Sequence, residues 1–201
     1  MKCDLSLLER SMKRSFDIFF SFVGLVLTSW VIILCFLVAA IETKSNGFFA
    51  QHRVGKNGFI FKVIKVKTMK QRKTENTTVT TSHDMRITKS GKVFRKWKLD
   101  ELPQLWNVLK GDMSFVGPRP DVPGYADQLE GEDRIILNIR PGITGPATIH
   151  YKNEEELLAA QDNPEQYNAK VIYPHKVQIN KEYITNYSFI KDLYYIMKTL
   201  T

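Results

Sequence analysis

At 201 residues, with Lys+Arg 29 against Asp+Glu 21 and a formal charge of +8, the chain suits one compact domain with accessories. Such a surplus fits nucleic acid, anionic lipid headgroups or phosphorylated substrates, and does not choose among them. Only two cysteines occur, Cys3 at the N-terminus and Cys35 inside an apolar run, which excludes a disulfide framework and a cysteine zinc site and points to a reducing, cytosolic setting.

The first element is Ile18 to Ile41, without a charged side chain. As a helix it extends about 36 Å, enough for a hydrocarbon core of ~30 Å. A cleavable signal peptide has an apolar region of only about 7–15 residues, and no cysteine follows for a lipoprotein signal, so this is a retained membrane segment. Its topology stays open at this point. Lys13 and Arg14 precede it; Lys44, Arg53, Lys56 and Lys62 follow. With both flanks basic, either a plain span translocates one of them or a re-entrant helix leaves both cytoplasmic.

Next comes a turn-rich patch, Lys44 to Gly47, and then Asn57-Gly58 between apolar runs, a hairpin signal. Phe59 to Met69 reads as a strand, and the polar, threonine-rich 70–84 as a mobile loop. Leu99, Leu102, Leu105, Trp106 and Leu109 recur at helical spacing, with Gly111 as the stop. Pro103 belongs in the first turn of that helix, which places Asp100 and Glu101 at its N-terminus. Residues 112–124 are expected to be a rigid loop, Tyr125 to Asn138 a short helix, Arg140 to Pro146 a tight loop, and 153–161 helical. The tail Phe189 to Leu200 puts Phe189, Leu193, Ile196, Met197 and Leu200 on one face, as suits a core or a membrane interface.

Adjacent carboxylates before a helix commonly serve as caps. They can also attack a phosphoryl centre and hold a divalent metal against a diphosphate. Arg119, between Pro118 and Pro120, offers a restrained bidentate fork for phosphate oxygens. Arg95, Lys96 and Lys98 ahead of the dyad, with Arg140, would build a positive bowl around it, although such a run is also an ordinary solvated face. His52, His83, His150 and His175 show no zinc spacing, and Ser114 lacks the context of a hydrolase nucleophile. With no P-loop, no GxGxxG and no RNA-binding aromatic signature, nucleic acid is not the expected partner.

The order of motifs now carries a resemblance: QHRVGKNG with KVKTM, then LDELPQLWNVLKGDMSFVGPRP, then RPGITGPA. From about residue 10 onward the chain resembles the bacterial sugar transferase family, the small monotopic phosphoglycosyl transferases. The resemblance implies transfer of a sugar-1-phosphate from a UDP-sugar to undecaprenyl phosphate with release of UMP, at the cytoplasmic face of the bacterial inner membrane. It implies Mg2+ as cofactor and Asp100 as nucleophile, with Glu101 its partner in metal binding or proton handling. Arg95 and Arg119 take the places of the family's phosphate-binding arginines. An N-acetylated amino sugar is the expected donor sugar, and a homodimer is left open.

The resemblance also implies a re-entrant helix broken at a Ser-Pro pair. Here Ser29 is followed by Trp30, so a break would rest on Thr28 and Ser29 bonding to backbone carbonyls. After the RPGITG loop, Tyr151-Lys152-Asn153 stands where many relatives carry Gly-Arg-Asn, so Lys152 keeps the charge without the fork. The expected architecture is α+β: residues 1–44 a membrane-embedded helix, and 45–201 a catalytic domain with short strands and amphipathic interfacial helices. The rival is a membrane-anchored basic module binding nucleic acid or anionic lipid without catalysis, which leaves the Asp-Glu-Leu-Pro and Pro-Arg-Pro motifs unexplained.

Overall fold

A computed structural model describes residues 5–70 and 86–200. Its largest element is a single helix, α1 (Leu7–Thr43), opened by a capping box in which Ser6 and Glu9 exchange side-chain and backbone hydrogen bonds. It begins well before the uncharged run, ends just after it, and is long and apolar enough to cross a membrane. One stripe of α1, at helical spacing, faces the rest of the protein: Lys13, Asp17, Ser21, Cys35 and Ala39 are all buried. The other faces expose Phe19, Phe22, Leu27, Trp30, Ile33 and Ile41.

The helical backbone is unbroken through Ser29 and Trp30. Thr28 Oγ1 donates to the Gly24 carbonyl at 2.7 Å and Ser29 Oγ to that of Val26 at 3.0 Å. The expected side-chain bonds therefore form, yet they do not interrupt the helix. Without a proline every backbone N–H keeps its place in the ladder.

The hairpin forms as expected: β1 (Phe48–Val54) and β2 (Ile60–Val66) pair antiparallel. Asn57 and Gly58 both take positive φ at the turn, the requirement that favours Asn-Gly there. The loop expected at 70–84 lies, except for Lys70, outside the described residues. At its neck, Met69 bridges Ile87 and Lys70 N–H donates to the Arg86 carbonyl.

Helices α2 (Lys89–Lys96) and α3 (Gln104–Lys110) follow, joined by a 3-10 turn over Leu99–Glu101. Gly111 ends α3 in the left-handed conformation, as its position predicts. Asn107 pins α3 to the edge of β2: its side chain accepts from Ile64 N–H at 3.1 Å and donates to the Lys62 carbonyl at 2.8 Å. One amide thus stands in for a strand residue.

Residues 112–124 and 140–146 were expected as loops, but each contains a strand. β3 (Ser114–Val116) and β4 (Gly142–Thr144) pair in parallel. Their three-residue length carries too little alternation to be read from sequence. The approach depends on glycine: a Cβ on Gly142 would sit 2.2 Å from Gly117 N, and one on Gly145 2.4 Å from Gly117 O. The expected helix over 125–138 is instead two 3-10 segments, Ala126–Gln128 and Gly131–Asn138. Extended Leu129 and Glu130 part them, followed by Gly131 at φ +56°.

The remainder is helical: α4 (Pro146–His150), α5 (Glu154–Ala159), α6 (Pro164–Tyr167), a π-helical turn over Asn168–Ile172, α7 (Tyr173–Thr185) and α8 (Phe189–Leu200). The main core gathers Val54, Val116, Ile136, Leu137, Ile139, Val177, Tyr183 and Ile184. The face left open between core and membrane interface is divided on α8: Phe189 meets the Phe16 ring and Ile196 the core, but not every residue follows. Asp192 is buried, with Tyr195 and Ile196 against the core, while Leu193 and Met197 point out. A buried ion pair makes the difference: Lys13 Nζ meets Asp192 Oδ2 at 2.6 Å, and Tyr183 and Tyr187 hydroxyls donate to the same carboxylate.

Candidate active site

The Asp-Glu dyad lies on the 3-10 turn that leads into α3, preceded by Lys98 at φ 55°. Three contacts fix that turn. Arg14 of α1 donates to the Val108 and Leu109 carbonyls at the far end of α3. Asn107 ties its flank to β2, and a Cβ on Gly24 would press within 3.1 Å of Leu105. The Leu-Asp-Glu-Leu-Pro segment and the helix it opens are thereby held between α1 and the hairpin.

Asp100 is buried, and its Oδ1 has no hydrogen-bond partner. Burial, with the neighbouring Glu101 charge, pushes its carboxyl above the ordinary aspartate range; Lys65, Arg95 and Lys98 pull the other way. Glu101 is the opposite case. Its Oε1 accepts from Lys65 Nζ at 3.0 Å and from Arg119 Nη2 at 2.8 Å. Against the cost of burial, Arg119 and Lys65 hold it far below the usual carboxylate range. Two adjacent carboxyls are thus driven apart, one poised to change protonation and one fixed as an anion.

Arg119 is carried by the glycine-dependent contact between β3 and β4. Gly117 N–H donates to the Thr144 carbonyl at 2.9 Å, and Gly142 N–H to that of Pro118 at 2.8 Å. The guanidinium spends one corner on Glu101, and its side chain remains 41% exposed. Arg53 Nη1 donates to the Pro120 carbonyl at 3.1 Å, bracing the same loop. Asp121, next in the chain, has its carboxyl pushed up to about 6 by burial, against the pull of Lys176, Arg53 and Arg119.

Of the expected residues, Arg119 meets Glu101 beside Asp100, and the Arg95 and Lys98 charges act on the Asp100 carboxyl. Arg140 does not join them. Its Nε donates to the Gly111 carbonyl at 2.7 Å, at the opposite end of α3 from the dyad. The positive bowl expected around the dyad therefore lacks Arg140, whose side chain goes to the helix C-terminus, where a cation meets carbonyls. Lys152 is exposed in the turn between α4 and α5, and Ser29 and Trp30 lie on the exposed stretch of α1.

Lys65 was missed as a site residue. A lysine inside an apolar strand, in KVKTM, was its only signal. Glu154 and Lys176, 2.6 Å apart, and the Tyr151 hydroxyl, 2.6 Å from His175 Nδ1, were not foreseen either. Nor was the approach of His150 and His175, with ring centroids 5.1 Å apart. These pairs join α4 and α5 to α7, a tertiary contact without a local pattern.

Among the described residues no group of three or more His, Cys, Asp or Glu could hold a metal ion. What the dyad offers is two hard carboxylates, one with an unpartnered oxygen. That donor set fits Mg2+, which keeps waters and takes one or two carboxylates together with substrate phosphates.

Known proteins resemble the chain over most of its length. Over 204 residues the chain is 31% identical to the exopolysaccharide production protein ExoY of Rhizobium meliloti, covering 94% of this chain and 83% of that one. It is 32% identical to the UDP-N-acetylgalactosamine-undecaprenyl-phosphate N-acetylgalactosaminephosphotransferase of Aeromonas hydrophila, over 94% of this chain and 42% of that one. The UDP-glucose:undecaprenyl-phosphate glucose-1-phosphate transferase of Escherichia coli K12 matches at 34%, over 98% and 41%. The profile of bacterial sugar transferases matches residues 8–201, which spans the membrane helix, the dyad and the arginine loop alike: the chain belongs to the bacterial sugar transferase family.

Proposed function

We propose that this enzyme is a phosphoglycosyl transferase that moves a sugar-1-phosphate from a UDP-sugar to undecaprenyl phosphate in two steps. An Asp100 carboxylate oxygen attacks the sugar-bearing phosphorus, and the bond to the bridging oxygen breaks, so UMP leaves with that oxygen. A phosphate oxygen of undecaprenyl phosphate then attacks the same phosphorus. The aspartyl–phosphorus bond breaks, and Asp100 is restored with a lipid-linked diphospho-sugar as product.

The observation that carries this reading is the contrast within the dyad: Asp100 buried with an open oxygen, beside a Glu101 locked by Lys65 and Arg119. Arg119 has donors left for phosphate oxygens, and Arg95 with Lys98 stands near Asp100. Asp100 and Glu101 are the residues that would hold Mg2+, which when bound would neutralise diphosphate charge. The Aeromonas hydrophila and Escherichia coli relatives, by their names, take undecaprenyl phosphate as acceptor and N-acetylgalactosamine or glucose as donor sugar, which supports the same pairing here. An early membrane step of surface polysaccharide synthesis is the setting we assign.

The same reading places α1 in one leaflet with both flanks on the cytoplasmic side. Its support is the inward stripe: Lys13 near one end meets α8, and Glu42 near the other end meets α2. A helix that left the domain to cross the bilayer would not keep such contacts at both ends. Trp97, Trp106, Ile190 and Met197, on or beside the helices that pack on α1, are exposed as well, as suits an interfacial protein.

Intact-mass analysis with Mg2+ and a panel of UDP-sugars, without lipid acceptor, tests the proposal. A phospho-sugar adduct with matching UMP release, absent in Asp100→Asn, is the expected result. UMP release that needs the acceptor and never shows an adduct would replace the covalent step by direct transfer.

A further inference from the structure

The start of α2 is held by a residue from another helix. In an isolated helix the first backbone N–H groups lack acceptors. Here Thr88 Oγ1 takes Gly91 N–H at 3.0 Å, in ordinary capping fashion. The two N–H groups before it go to Glu42, in the last turn of α1: Lys89 N–H to Oε1 at 2.9 Å and Ser90 N–H to Oε2 at 3.3 Å. The Ser90 hydroxyl donates to the same oxygen. A second contact seats α2 on the same stretch of α1, where Phe94 packs with Cys35, Ala39 and Val66.

What α2 carries makes this clamp more than a fold contact. Arg95 lies in its last turn. Trp97 N–H donates to the Val93 carbonyl, Lys98 N–H to that of Arg95, and Glu101 N–H to that of Lys98. A chain of backbone hydrogen bonds therefore runs from α2 into the dyad turn. At eight residues α2 is about 12 Å long, too short to bend independently of its two ends. From this we infer that Glu42 is a positioning residue. It transmits the location of the membrane helix to Arg95 and to the turn that presents Asp100.

This inference rests on the phosphoglycosyl transfer reading for its kinetic consequence and on hydrogen bonding for its structural one, so two measurements separate them. The first is deuterium exchange over residues 89–101 in the full chain, in lipid, for wild type, Glu42→Ala and Glu42→Gln. Faster exchange that extends past the clamp into 93–101 is expected in Glu42→Ala, with a smaller rise in Glu42→Gln, which keeps one acceptor oxygen. Exchange unchanged over 93–101 would overturn the inference, whatever the enzyme does.

The second is UMP release with a UDP-sugar and undecaprenyl phosphate for the same variants, Arg95→Ala and the double variant. Glu42→Ala is expected to lower kcat by about ten- to a hundredfold, since small displacements at a reacting centre have effects of that order. The loss falls on kcat more than on donor KM. In the Arg95→Ala background the added loss is expected to shrink, because the part that acts through Arg95 is already gone and only the part that acts through the Asp100 turn is left. An equal loss in both backgrounds would overturn the inference. If Glu42→Ala fails to fold, Glu42→Gln enters the same cycle. Wild type that releases no UMP would sink the proposed function instead, and the exchange result would still decide Glu42.

Discussion

Replacing Glu101 by glutamine separates the roles of the two carboxyls. Glu101 holds Lys65 and Arg119 on one oxygen, with its own side chain 13% exposed. Losing the charge-assisted bond to Lys65, itself only 24% exposed, costs about 1.5 kcal/mol. The bond to Arg119 involves a more exposed partner and contributes about 0.5 kcal/mol after solvent screening. The amide oxygen recovers part of this, so a net loss of about 1–2 kcal/mol follows. For a domain of this size that lowers Tm by about 2–8 °C.

Activity is expected to fall about 10²–10³-fold, because Arg119 loses the anchor that aims it. The pH dependence moves in a definite direction. Asp100 must be ionised to attack, and both burial and the Glu101 charge raise its carboxyl. Activity is lost as pH falls through that raised value. With glutamine at 101 the like charge is gone, the Asp100 carboxyl drops, and the remaining activity persists to lower pH than in wild type. Adduct formation followed by intact mass across acidic pH, beside thermal melts, reads both effects. An acid limb that stays in place or moves upward would refute the assignment of ionised Asp100 as nucleophile beside a permanently charged Glu101.

Two further outcomes test the scaffold. Gly142→Ala brings a methyl within 2.2–2.7 Å of three backbone atoms, Gly117 N, Thr144 O and Val116 C. It is expected to destabilise by about 3 kcal/mol or more and to release the Arg119 loop; a melt within 1 °C of wild type, taking about 1 °C as experimental scatter, would refute the close-approach argument. Lys13→Met leaves the buried Asp192 without its cation, with Tyr183 and Tyr187 hydroxyls still donating. A loss of about 3–5 kcal/mol is expected, seen as a lower midpoint in denaturant, and a neutral result would mean that the tyrosines suffice.

Local chemistry made much of this protein readable from its sequence. The uncharged run, the Asn-Gly hairpin and the Gly111 stop each depend on residues that are close in the chain, where steric and hydrogen-bonding rules act directly. Asp100, Glu101 and Arg119 could be named as candidates for the same reason, although carboxylates before a helix commonly serve as caps and the roles came from the family resemblance. The motif order then identified the family, now supported by the match over residues 8–201.

Tertiary structure decided the rest, because the deciding partners are far apart in sequence. Lys65 reaches Glu101 across 36 residues, Glu42 caps α2 from 47 residues away, and Lys13 meets Asp192 across 179. No periodicity announces such pairs. Arg140, expected in the positive bowl around the dyad, goes instead to the Gly111 carbonyl, beside a three-residue parallel strand too short to be seen in advance. On α8 hydrophobicity left core and membrane interface open, and a buried carboxylate with three donors turns a charged residue toward the core. The sequence supplied the reactive groups; long-range contacts decided which oxygen stays open and which charge is held.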